Sequence, residues 1–175
     1  MPKPWVEMLP VFEGRVNHMY LDGKGVVTCG VGCALRSPEE AGARFADPRA
    51  AAEWKAVLAM ERGHVAEWYA ARTTLRMSDK LINDALDIKT NWAGIMLYKY
   101  APEYESWPRG VIDACLDISY NCGSVAGFPH MLAAIRAGDW GVAAVQSRRE
   151  PPVSEFRNDW TRDSILSAIA LEAAA

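Results

Sequence analysis

The chain has no block of lysine or arginine, no apolar run long enough to cross a bilayer, and no metal-ligand spacing among its few cysteines and histidines. The first absence excludes a nucleic-acid partner, because phosphate binding needs a clustered basic footprint. A formal net charge of -3 also gives no general attraction to an anionic surface, so local cations must do any steering. The second absence excludes membrane insertion, which takes about 20 consecutive apolar residues. The opening MPKPWVEMLP lacks the apolar core and small-residue cleavage site of a secretory signal. The expectation is a protein made in the cytoplasm whose export needs outside help. The third absence excludes metal hydrolysis. His18, His64 and His130 are scattered, and Cys29, Cys33, Cys115 and Cys122 fit no zinc pattern. Cys115 and Cys122 would lie two helical turns apart, roughly 10 Å, too far to bridge. Reduced, packed thiols are expected, and a bond between the early and late pairs stays open on spacing alone. No serine or cysteine nucleophile sits in a recognisable elbow. No repeat or low-complexity linker occurs, and nothing calls for a cofactor.

What is present is globular. Half of the 175 residues are hydrophobic and 23% are charged, which suits one domain or two lobes sharing a helix. Seven Trp and six Tyr imply an aromatic-rich core. Trp5, Met8, Leu9 and Phe12 are spaced for a helix that Pro10 should disturb and Gly14 should close. From Met19 to Leu35, β-favouring residues punctuated by glycines predict a small antiparallel sheet, with Asp22-Gly23-Lys24-Gly25 as its tight turn. Ser37-Pro38-Glu39-Glu40 opens a helix, and alanine-rich segments continue to about Arg76. Ser78 caps a long helix whose apolar line is read as Leu81, Ala85, Ile88, Trp92 and Ile95. Residues 109–121 are apolar on nearly every side and read as a buried central helix ended by Gly123. Further helices are expected at 128–137, 139–147 and 158–171, with a loop at Pro151-Pro152. The fold class is therefore α+β, mostly α-helical.

The chemistry concentrates in FEGRVNHMYLDGKGVVTCGVGC, Phe12 to Cys33. Glu13 falls at the carbonyl end of a helix, where partial negative charge disfavours an added carboxylate, so it is expected to hold a proton. Asp22, beside glycine-rich backbone, has no such reason to stay neutral. Thr28, on the returning strand, could hold a water with Asp22. Two carboxyl groups in opposite protonation states are what glycoside cleavage requires. Singly, each residue has a plain structural role: a solvated helix end, a turn former, a strand former. The combination carries the argument.

That segment resembles the active-site region of the phage-type lysozymes, glycoside hydrolase family 24. Glu13, Asp22 and Thr28 reproduce the family's spacing, with Gly14, Tyr20, Gly25, Gly30 and Gly32 around them. Tyr120-Asn121-Cys122-Gly123 and Val125-Ala126-Gly127-Phe128 are similar to the end of the family's central helix and its following turn. The resemblance implies a lysozyme-like fold over 1–175, with a small hairpin lobe at about 14–77. A helical lobe would comprise 78–175 plus 1–13. It implies a muramidase that cleaves the β-1,4 bond between N-acetylmuramic acid and N-acetylglucosamine with inversion. Glu13, Asp22 and Thr28 would be catalytic, and Gly32, Tyr120, Asn121 and Phe128 would bind the substrate. The implied partner is the peptidoglycan glycan strand, in the periplasm or cell wall, met by a monomer without cofactor. Lysis would depend on a holin. A secreted antibacterial toxin with the same chemistry would instead meet an immunity protein, and a non-catalytic glycan binder is the third reading.

Three departures stand out. Cys33 occupies a place where relatives often have His. The family's C-terminal arginine, which contacts the acid, has Asp159 at its expected position, beside Asn158 and Arg162, with Arg157 as the substitute. The 36–77 region is longer than in compact relatives.

Overall fold

The computed structural model describes residues 2–172, with side chains to residue 170; Met1 and the alanine tail 173–175 lie outside it. The fold is α+β and mostly helical, with one three-stranded antiparallel sheet in the order β1-β2-β3. Two compact units divide the chain: residues 9–89, and residues 1–8 with 90–175.

The first unit holds the sheet: β1 (Val16–Leu21), β2 (Val27–Gly30) and β3 (Cys33–Ala34). Its hairpin closes where the Gly25 amide donates to the Asp22 carbonyl at 2.8 Å. Helix α1 (Trp5–Glu13) leads into the sheet and carries Pro10 inside it. The helix runs through Pro10 without interruption. Pro10 leaves the Val6 carbonyl without its usual donor, and Val6 is exposed, so water can supply one. Helix α2 (Pro38–Phe45) starts as read: the Glu40 amide donates to Ser37 Oγ, and Glu40 Oε2 accepts from the Arg36 amide at 2.6 Å. Helices α3 (Ala50–Leu58) and α4 (Ala66–Ala70) complete the unit. Met19, Leu21, Val27, Val31, Val57 and Tyr69 fill its core.

Long helix α5 (Asp79–Tyr100) begins at the Ser78 cap and continues into the second unit. Its expected apolar line is corrected here. Ile88, Trp92 and Ile95 are exposed, and the buried positions are Ile82, Ala85, Ala93 and Leu97. Bulk hydrophobicity favoured the large side chains. Two of these four packed positions are alanine, whose small size lets neighbours approach closely. The register has a direct check. Ile95→Gln should change unfolding free energy by less than about 0.5 kcal/mol, whereas Ala93→Gln should cost about 1–3 kcal/mol by overpacking and burying an amide. Chemical denaturation of both variants measures the difference.

In the second unit, α6 (Arg109–Cys122) is the buried centre, with Val111, Ala114, Cys115 and Ile118 fully covered. Helices α7 (Pro129–Arg136), α8 (Trp140–Gln146) and α9 (Glu155–Glu172) pack around it. The α9 helix starts at Glu155 rather than 158, because Ser154 Oγ accepts from the Arg157 amide. The α6 helix is not apolar all round. Asp117 is fully buried and pairs with Arg149 at 2.8 Å and Arg157 at 2.7 Å. None of the four cysteines is in a disulfide; three are buried as expected, while Cys122 is exposed. Burial pushes the Cys29 and Cys115 thiols up to about 12, which keeps them protonated and unreactive at neutral pH.

Candidate active site

Glu13 is the last residue of α1 and is half-buried. Its carboxylate lies against Gly32. A β-carbon there would fall 2.5 Å from Glu13 Oε2 and 2.9 Å from Cδ. Gly32 has a φ of 60°, a left-handed conformation that side chains rarely adopt. The Gly32 carbonyl accepts from Lys89 Nζ at 2.7 Å, which ties this loop to α5. The acid and the loop therefore fit only if residue 32 has no side chain. Gly32→Ala should destabilise the fold by about 1–2 kcal/mol through the strained backbone. It should lower turnover by about 100-fold by displacing Glu13. Thermal unfolding and a wall-lysis assay read the two effects separately.

Asp22 sits at the mouth of the hairpin. Its Oδ1 accepts from the amides of Lys24 at 2.9 Å and Val26 at 2.8 Å. Those two bonds fix the carboxylate plane and leave Oδ2 outside the turn's own hydrogen bonds. Thr28 is buried and stands opposite Tyr20 across β1–β2. Directly opposed residues share a sheet face. The Thr28 hydroxyl donates to the Val26 carbonyl at 3.1 Å, so toward any other group it is an acceptor.

Tyr20 links these groups. Burial first, then the carboxylates of Glu13 and Asp22, push its phenol up to about 12. One phenol thus feels both carboxylates, and the residue opposite it is Thr28. The sheet unit holds Glu13 against Gly32 and sets Tyr20, which the sequence marked only as part of the resemblance, opposite Thr28 on the hairpin that Asp22 opens. Lys89 gave no signal, because its contact spans 57 residues.

The remaining candidates belong to the second unit. Tyr120 is buried, with its ring edge-on to Trp5 at 6.0 Å, so it packs the core and offers no open face to a sugar. Asn121 is half-buried, and its side-chain oxygen faces Arg149 Nη1 at 3.5 Å. Phe128 is partly buried against the helical core. Arg162 is exposed and pairs with Asp159 and Asp163. Asn158 is buried, donating to the Arg149 carbonyl at 2.9 Å and accepting from its amide at 3.1 Å. Arg157 is the buried arginine of this segment, on Asp117. No group of residues among those described could hold a metal ion. No family model matches the chain, and no curated protein is significantly similar to it.

Proposed function

We propose that the protein is a peptidoglycan hydrolase of the muramidase type, similar to the phage-type lysozymes, and that it uses Glu13 and Asp22. The observation that carries this reading is one short helix-and-hairpin segment that holds Glu13 against Gly32, fixes Asp22 on the Lys24 and Val26 amides, and sets Thr28 on the strand returning from that turn.

Glu13 at the helix end donates its proton to the glycosidic oxygen as the bond from the anomeric carbon breaks. Asp22 takes a proton from water through its second carboxylate oxygen. Thr28, already committed as a donor to Val26, accepts a hydrogen bond from the water's other O–H, which stays on the water oxygen. Both hydrogens of the water are then directed away from the sugar, which leaves a lone pair for the anomeric carbon. After the step Glu13 is ionised and Asp22 protonated, and exchange with solvent restores both. Gly32 and Lys89 keep the acid in place.

Digestion of purified peptidoglycan tests the reading. After borohydride reduction, mass spectrometry should find muramitol at the new ends. Glucosaminitol or an anhydro sugar there would overturn it.

A further inference from the structure

The loop between α3 and α4 carries a cation that the proposed reaction leaves unused. Arg62 lies over the hairpin turn: a β-carbon on Gly25 would fall 2.6 Å from its Nε, 2.7 Å from Cζ and 2.9 Å from Nη1. Gly25 closes the turn whose first residue is Asp22, with a φ of 78°. The glycine satisfies two demands, the left-handed turn and room for a guanidinium.

The placement is built into the loop. The fully buried Tyr69 donates its hydroxyl to the Glu61 carbonyl at 2.7 Å, which pins the residue before Arg62. The neighbouring charges are occupied elsewhere. The Glu61 carboxylate faces His64 at 3.4 Å, and His64 stacks on one side of Trp68 with centroids 3.9 Å apart. Arg72 lies over the Trp68 ring at 3.6 Å and donates to the Trp68 carbonyl. Arg62 itself is exposed, and among the described residues it has no hydrogen bond or ion pair. Lys24, on the same turn, is also exposed.

From this we infer that Arg62 is a specificity-determining residue that binds a carboxylate of the peptide stems carried by the glycan strand. The inference rests on the proposed muramidase reading and deepens it. Peptide-bearing strands are anionic through those carboxylates, and the protein's net charge of -3 would repel them without a local cation. A planar guanidinium matches a carboxylate in two-bond geometry, which a neutral sugar hydroxyl does not reproduce. Its position over Gly25 puts that recognition on the turn that begins at Asp22. This assigns part of the longer 36–77 region a role in choosing substrate.

The test uses soluble, uncrosslinked, peptide-bearing strands, and the same strands with their carboxyl groups converted to amides. On native strands Arg62→Ala should raise KM about tenfold with kcat unchanged, and Arg62→Lys should recover part of the loss. Amidation should raise the wild-type KM by a similar factor and remove the difference between wild type and Arg62→Ala. An equal loss on both strands would mean a structural role for Arg62, and no loss on either would mean no role; each overturns the inference while the muramidase reading stands. Wild type that cleaves neither strand overturns both.

Discussion

Glu13→Gln should retain the fold and lose at least about 1000-fold of lytic activity, the upper range for removing a general acid. Glutamine matches glutamate in shape, so it can occupy the space against Gly32 without new overlap. The melting temperature should stay within a few degrees of wild type, because no packing is lost. The amide has no proton of suitable acidity to give to a departing sugar oxygen. Stability and activity therefore separate in this variant, which makes it more informative than an alanine. Asp22 needs the same care. Its Oδ1 accepts two backbone amides that shape the hairpin. Alanine would disturb the turn as well as the chemistry, whereas asparagine keeps one acceptor for the turn. Turbidity clearance of a cell-wall suspension, with thermal unfolding alongside, checks both variants. A Glu13→Gln protein that keeps a tenth or more of wild-type activity would remove Glu13 from its role.

Asp117→Ala should be the most destabilising of the single changes considered. Asp117 is fully buried on α6, between Arg149, with a side chain 2% exposed, and Arg157, 5% exposed. Thr161 also accepts from Arg149 Nη2 at 2.5 Å. Taking the carboxylate away leaves two buried guanidinium groups with no opposing charge at that point, which costs about 3–5 kcal/mol. Native domains hold only about 5–15 kcal/mol in all, so the variant should unfold at a much lower denaturant concentration. Asp117→Asn keeps the shape and should still lose most of the same energy, because charge is the missing term. Urea unfolding followed by circular dichroism measures it. A loss below about 1 kcal/mol in both variants would show that the arginines find other partners.

These cases show which features the sequence made legible. The hairpin, the Ser37 and Ser78 caps and the buried run of α6 were readable because each is settled by residues within a few positions. The candidate catalytic group was readable for the same reason: Glu13, Asp22 and Thr28 lie on one short helix-and-hairpin segment. Contacts distant along the chain were not. Asp117 meets Arg149 and Arg157 across 32 and 40 residues, and nothing local in α6 says which side of an apolar helix will carry a charge. Arg62 over Gly25 is hidden in the same way, since a glycine in a turn is fully explained by its backbone until a neighbour is found in the space of its missing side chain. The α5 register failed for another reason. Ala85 was read correctly, but alanine carries little hydrophobic weight, and Ala93 faces the interior while Trp92 does not.

The division of labour between residues 13 and 22 is most directly tested by the anomeric form of the first product. Proton NMR should be recorded within the first minutes of cleavage, before mutarotation. Water directed by Asp22 onto the face away from the departing oxygen should give the α anomer first. Initial formation of the β anomer would contradict the account, because the sugar would then have been transferred with retention and Asp22 could not be the base that delivers water.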